Sequence, residues 1–208
     1  MLPATHVSTQ DWTAMKSASR MNPSPKAGGA TYPLRHRMER AIWNVVWLLL
    51  GIWTPTPLHA WRRMLVRLFG GRISETAKIY PGVKIWYPPN LEMHDYACLG
   101  PGVTCYCMDN ITLGPFALVS QGAHLCAGTH DVDDPDFALV TKPIRVESHA
   151  WVAADAFVGP GVTVHAYAVL GARAVTMKDL EEQTIYAGNP AKRLRMRASA
   201  VEVLGRGR

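Results

Sequence analysis

The chain has 208 residues, 48% of them hydrophobic and 18% charged, which is enough to bury the core of one ordinary domain that carries additional segments. Its formal net charge of +6 is uneven: residues 1–72 hold ten Lys/Arg against two acids, residues 73–177 hold five against ten, and residues 178–208 hold seven against four. Basic ends favour anionic partners, but nucleic acid is not expected, because no known binding motif and no interleaving of aromatic with basic residues is present.

Residues 1–33 are predicted to form a flexible N-terminal segment without a catalytic role, because they are rich in Ser, Thr, Pro, Ala and Gly and have no hydrophobic period. Residues 1–20 also lack the apolar core of a signal peptide. We therefore expect a cytoplasmic protein.

Residues 34–72 are predicted to be helical. "RHRMERAIWNVVWLLLGIW" and "LHAWRRMLVRLFG" each have a helical pattern, and "TPTP" at 54–57 separates them. The longest apolar run, residues 41–53, is shorter than the ~18 to 20 residues that a membrane-spanning helix needs. Tryptophans beside arginines suit two interpretations: peripheral contact with an anionic membrane at its inner face, or packing of the apolar faces on the rest of the protein or a neighbouring subunit.

Residues 146–175 contain an internal repeat with a period of six: VESHAW, VAADAF, VGPGVT, VHAYAV, LGARAV. An aliphatic residue opens each unit, and a small residue or Val fills each fifth place. A helix cannot use this period, because its faces recur every 3.6 residues. Three units can instead close one triangular coil, with the opening residues stacked inside.

The same phase runs upstream through residues 113–130, and weaker units begin at Ile73, Ile79 and Leu99. Two-residue slips at Pro88–Pro89 and within residues 105–109 suit bulged corners. We predict about five to six coils over residues 73–180 and a cap with a basic tail over residues 181–208. After His130 the period stops, and it resumes at Val146.

Three segments carry a resemblance to a known family: "VSQGAHLCAGTHD", "TKPI" followed by "WVAADAFVGPGVTV", and "IYAGNPAKRLR". The chain resembles the hexapeptide-repeat acyltransferases with a left-handed parallel β-helix. Within them it is most similar to the maltose, galactoside and nodulation-factor O-acetyltransferase branch, and especially to the colanic acid biosynthesis acetyltransferases. The resemblance implies an all-β fold after two N-terminal helices, a homotrimer with active sites between neighbouring subunits, and acetyl-CoA as the donor.

His130 matches the family's catalytic histidine. A neutral imidazole, with an ordinary pKa of about 6.5, can deprotonate an alcohol as it attacks the thioester. The acidic insertion at residues 131–145 follows His130 directly and can enclose a substrate. Asp131 is the acid best placed to orient the imidazole or to bind a hydroxyl group.

The resemblance also implies binding residues. The family's CoA positions correspond to Ala154, Ala172, Lys178, Lys192 and Arg195, where small residues admit the pantetheine arm and basic residues meet phosphates. The candidates for acceptor binding are Tyr106, Asp109, Asn110 and Gln121.

No metal is expected, because the four cysteines contain no CxxC pair and are predicted to be free thiols. The expected function is transfer of acetyl to a hydroxyl of a sugar or exopolysaccharide precursor. A non-sugar alcohol such as serine, or a non-catalytic assembly module, are the alternatives.

Overall fold

Each six-residue unit of the sequence forms one short strand and one turn. A computed structural model describes residues 31–198, so most of the predicted flexible segment and the end of the basic tail lie outside the described residues. In chain order the strands are β1 (Arg72–Ile73), β2 (Lys78–Ile79), β3 (Lys84–Ile85), β4 (Leu91–Met93), β5 (Cys98–Leu99), β6 (Thr104–Tyr106), β7 (Ile111–Leu113), β8 (Leu118–Val119), β9 (His124–Cys126), β10 (Gly128–His130), β11 (Leu139–Thr141), β12 (Ile144–Val146), β13 (Trp151–Val152), β14 (Phe157–Val158), β15 (Thr163–Val164), β16 (Val169–Leu170), β17 (Val175–Thr176), β18 (Thr184–Ala187) and β19 (Lys192–Met196).

The strands form the three flat faces of a parallel β-solenoid, which confirms the predicted triangular coil. Face 1 contains β1, β4, β7, β12 and β15; face 2 contains β2, β5, β8, β13, β16, β18 and β19; face 3 contains β3, β6, β9, β14 and β17. Five coils are complete, and β18 continues face 2 into a sixth by pairing in parallel with β16. The solenoid therefore extends into the segment predicted as a cap.

The core confirms the hexad pattern. The openers Val152, Val158, Val164 and Leu170 are fully buried, as are the fifth-place Ala150, Ala156, Ala168 and Ala174. Fourth-place residues instead occupy the turns, where the backbone adopts a left-handed conformation: φ is 57° at His149, 56° at Asp155 and 80° at Gly161. A residue with a side chain pays about 1 kcal/mol or more for this conformation. The stacked coils hold the turns in it.

Two helices precede the strands, as predicted: α1 (Leu34–Leu50) and α2 (His59–Leu68), with the Thr-Pro-Thr-Pro segment between them. Their side chains cap the first coil. The N–H groups of that coil donate to the next coil, for example Lys78 N–H to the Ala97 carbonyl at 2.8 Å, so its own carbonyl groups have no neighbouring coil.

Five of these carbonyl groups accept hydrogen bonds from the helices. The bonds run from Trp43 to Ile85 (2.7 Å), Trp47 to Val83 (2.8 Å), Arg62 to Ile79 (2.6 Å), Arg63 to Ala77 (2.9 Å) and Arg67 to Ile73 (2.7 Å). A buried carbonyl left without a partner costs about 1 to 3 kcal/mol. The arginines of α2 therefore point into the protein, toward the solenoid.

Three insertions into the six-residue period lie where face 3 turns into face 1. We call this the loop edge, formed by residues 86–90, 107–110 and 127–143. The two predicted slips lie here, and the amide of Asn90 in the first donates to the carbonyl of Cys107 in the second at 3.1 Å. The third departure is the hairpin of β10 and β11, so the acidic insertion leaves the solenoid at the same edge.

Candidate active site

His130 is the last residue of β10 and lies opposite Leu139 of the antiparallel strand β11. Its imidazole stacks on the ring of Phe137, with the centroids 4.5 Å apart and the planes 10° from parallel. Nδ1 lies 2.9 Å from the Phe137 carbonyl oxygen. A carbonyl oxygen only accepts hydrogen bonds, so Nδ1 carries the proton and Nε2 keeps its lone pair. This is the tautomer that a general base needs.

Asp131 follows His130 in the chain, but the partner of the His130 imidazole is the Phe137 carbonyl and not the Asp131 carboxylate. The Asp131 carboxylate accepts from the Asp133 N–H at 3.1 Å, and the Asp131 N–H donates to the Ala138 carbonyl at 2.9 Å. The side chain therefore stabilises its own loop. Phe137 supplies the contact that orients the imidazole, a role that the sequence had suggested for Asp131.

Two predicted acceptor residues share the loop edge with His130. The Asp109 carboxylate accepts from the Asn110 N–H at 2.7 Å, and the Asn110 carbonyl accepts from the Ile144 N–H at 2.9 Å. These bonds tie the turn before the hairpin to the strand after it. Tyr106 comes just before this turn, on the outer surface of face 3.

Gln121, Ala154 and Ala172 lie on the other side of face 3, in the turns that connect it to face 2. We call this stack the corner column, formed by residues 121–122, 154–155, 172–173 and 188–191. Backbone bonds join its levels, from the Asp155 N–H to the Gln121 carbonyl (3.0 Å) and from the Arg173 N–H to the Ala154 carbonyl (2.9 Å). Gln121 is thus separated from the other acceptor candidates.

The basic cofactor candidates divide between the two edges. Lys192 and Arg195 lie exposed on β19, directly after the last turn of the corner column, where the Ala191 N–H donates to the Val175 carbonyl at 2.8 Å. Lys178 follows β17 and lies on the loop-edge side of face 3. Within one chain, face 3 therefore separates most of the cofactor candidates from His130.

The structure adds residues that sequence reasoning missed. Tyr32 stacks on His36 (4.4 Å between centroids), and Trp86 lies between Tyr32 (5.3 Å) and Tyr106 (5.7 Å). They form an aromatic groove over face 3. Trp86 and Tyr106 project outward at equivalent positions of adjacent coils, so the six-residue period could have identified this pair. Tyr32 precedes the repeats, so the period does not identify it.

The groove contains polar atoms without partners. The Tyr32 hydroxyl and Nε2 of His124 are buried and accept or donate no hydrogen bond among residues 31–198. Burial raises the pKa of Tyr32 to about 12, and the neighbouring Tyr106 and Asp109 add to the effect. Burial lowers the pKa of His124, with a smaller contribution from Lys84. Both side chains therefore stay uncharged near neutral pH.

Cysteine and histidine side chains do not gather into a metal site in the described part of the chain, where no group of three or more His, Cys, Asp or Glu could hold an ion. All four cysteines are free thiols.

The comparisons agree with this architecture. No protein-family model matches the chain. The chain is 39% identical over 156 residues to WcaF of Escherichia coli strain K12, whose name describes it as a colanic acid biosynthesis acetyltransferase, and the match covers 75% of this chain and 86% of that protein.

Solved structures share the fold. A hexapeptide-repeat acetyltransferase of Vibrio cholerae complexed with acetyl coenzyme A superimposes with a TM-score of 0.71 at 21% identity, covering 82% of this chain and 93% of that chain. A maltose O-acetyltransferase of Clostridium difficile 630 gives 0.70 at 17% identity, covering 80% and 90%. Together with the repeat and its capping helices, the similarity to WcaF means that this chain belongs to the family of hexapeptide-repeat acetyltransferases.

Proposed function

We propose that the protein transfers acetyl from acetyl-CoA to a hydroxyl group of a sugar or exopolysaccharide precursor. The observation that carries the proposal is the contact between Nδ1 of His130 and the Phe137 carbonyl, which leaves Nε2 able to accept a proton. The donor is supported by family membership and by the acetyl-CoA complex of the Vibrio cholerae structure. Use of acetyl-CoA suits a cytoplasmic location.

In the proposed reaction, Nε2 of His130 removes the proton of the acceptor hydroxyl as its oxygen attacks the thioester carbonyl. The new C–O bond forms, the C–S bond breaks, and the imidazolium returns the proton to the departing CoA thiolate. No covalent acyl-enzyme is needed.

The sugar acceptor is supported by two observations. WcaF is named for biosynthesis of an exopolysaccharide. The partly exposed rings of Trp86 and Tyr106 lie beside the loop edge, and aromatic rings suit the apolar face of a sugar ring.

We further propose that the active site forms between two copies in a homotrimer. The support is the separation within one chain: His130 lies on the loop edge, whereas Ala154, Ala172 and Lys192 follow the corner column across face 3. A neighbouring copy that presents its corner column to the loop edge would complete the site. Lys192 and Arg195 would then meet the CoA phosphates.

The test measures thiol release from acetyl-CoA with monosaccharide glycosides and with serine as acceptors. We expect glycosides to be preferred and His130→Ala to lower kcat by about 10² to 10⁴-fold. His94→Ala is the matched control, because His94 lies on face 1, where it pairs with Glu92 at 3.2 Å, and its loss should leave the rate unchanged. A His130→Ala protein with the wild-type rate would refute the mechanism, and preference for serine would refute the sugar acceptor.

A further inference from the structure

Both N-terminal helices expose an apolar face in addition to the apolar side chains that they bury. On the side of α1 opposite the buried Trp43 and Trp47, the side chains are apolar and exposed: Met38, Ile42, Val45 and Leu49, with Val45 57% accessible. On α2, Arg62 is fully buried while Trp61, Met64 and Leu68 are exposed. The exposed side of an ordinary surface helix is polar instead. No other part of residues 31–198 covers these apolar faces.

The two faces are continuous. The Trp61 indole N–H donates to the Leu50 carbonyl at 2.7 Å, and the Trp53 indole N–H donates to the Leu49 carbonyl at 3.0 Å. These bonds hold both tryptophans against the C-terminal end of α1, while Trp53 remains 69% accessible. We call the surface formed by these eight side chains, Trp53 and Trp61 included, the apolar end.

Charge favours one kind of occupant. Residues 31–72 contain seven arginines and one acid, Glu39. Arg35 and Arg37 are exposed beside the apolar face of α1, where their long side chains can reach a charged surface. Face-to-face contact with a second copy would bring two strongly basic segments together, whereas an anionic lipid surface complements them.

We propose that the apolar end docks the protein on the surface of an anionic bilayer. The apolar side chains enter the headgroup region, the two tryptophans lie at the interface, and Arg35 and Arg37 meet lipid phosphates. The docking is peripheral: none of the helices within residues 31–198 has both the length and the apolar character required to cross a bilayer.

Docking would bring the groove close to lipid, because His36 of the same helix stacks on Tyr32. An acceptor carried on a lipid would then be presented beside His130. This consequence rests on the proposed function, whereas docking itself does not. In a cyclic trimer all three apolar ends lie on the same side of the assembly, so their binding would be multivalent.

The test is co-sedimentation of the full chain with vesicles of phosphatidylcholine alone or with about one quarter phosphatidylglycerol. We expect binding only to the anionic vesicles, weakened by salt. Val45→Glu is compared with Asn44→Glu, which changes the charge equally on the adjacent, exposed flank of α1. Asn44→Glu should lower affinity about fivefold through charge, and Val45→Glu at least about tenfold more, because it also removes apolar contact.

Absence of wild-type binding, or equal effects of the two substitutions, would overturn the proposal. So would a smaller assembly mass for Val45→Glu alone, which would identify the apolar end as a subunit interface. Met64→Glu on α2 repeats the test if Val45→Glu does not reach the wild-type melting temperature. Vesicle binding is measured without acetyl transfer, so failure here is distinguishable from failure of the proposed function.

Discussion

At the scale of single residues, His130 depends on Phe137 twice. The Phe137 carbonyl fixes the protonated nitrogen, and the Phe137 ring packs parallel to the imidazole. Phe137 itself has a left-handed backbone, with φ of 51°, which turns its carbonyl and ring toward His130 together. Both contacts that orient the proposed base therefore come from its own hairpin.

Phe137→Ala should separate these two contributions, because it removes the ring and keeps the carbonyl. An aromatic contact is worth about 1 kcal/mol, so we expect kcat to fall about fivefold to tenfold while KM for acetyl-CoA stays unchanged. Steady-state kinetics would measure both constants. Val132→Ala, at an exposed position in the same loop, is the control. A change confined to KM would mean that Phe137 contacts a substrate instead of positioning the imidazole.

At the scale of elements, the coils approach so closely that some turns require glycine. A Cβ on Gly100 would lie 2.9 Å from the Gln121 backbone nitrogen and 3.0 Å from the Val119 carbonyl oxygen. Both atoms belong to the coil stacked above, and neither can move without disturbing the ladder. Gly102, two residues later, has open space around its Cβ position but a φ of 68°.

These two glycines predict different costs for the same substitution. Gly102→Ala should lower the free energy of unfolding by about 1 kcal/mol, the cost of its left-handed backbone. Gly100→Ala should cost about 2 kcal/mol or more, because adjacent coils must separate. Urea denaturation of both variants measures the difference. Equal losses would show that coil spacing at Gly100 tolerates a methyl group.

Much of the fold could be predicted because the position of a residue within its six-residue unit indicates whether its side chain is buried. In the repeat from Val146 to Ala174, the first and the fifth residue of each unit lie in the core. The role of α2 could not be predicted in this way. Arg62, Arg63 and Arg67 suggested a charged surface, but they donate to carbonyl groups of the first coil, and only the three-dimensional edge of the solenoid reveals those partners.

The candidate site, like the fold, could be predicted only in part from the sequence. His130 could be identified from its motif and from the break in the repeat, whereas Tyr32 lies in a segment without a period and joins the groove only through stacking on His36 and Trp86. The position of Gln121 in the corner column follows from the hexad phase, yet its separation from Asp109 becomes evident only once the coils are stacked.

At the scale of the whole molecule, a site shared between subunits predicts complementation. His130→Ala damages the loop edge, and the double substitution Lys192→Ala/Arg195→Ala damages the end of the corner column. Each variant alone should be nearly inactive. When the two are co-expressed with different tags, some interfaces join an intact loop edge from one chain to an intact corner column from the other.

Every trimer that contains both chains has one intact interface out of three, so the co-purified mixture should recover about one third of the wild-type kcat. Co-purification through both tags followed by thiol-release kinetics measures this fraction. A chain carrying all three substitutions, co-expressed with wild type and purified in the same way, supplies the control: it should leave about one sixth of the sites active if they are shared, and about half if each site lies within one chain. Failure of the two single-edge variants to restore activity would assign the complete site to one subunit, and the fold would then have to bring the corner column and His130 together across face 3.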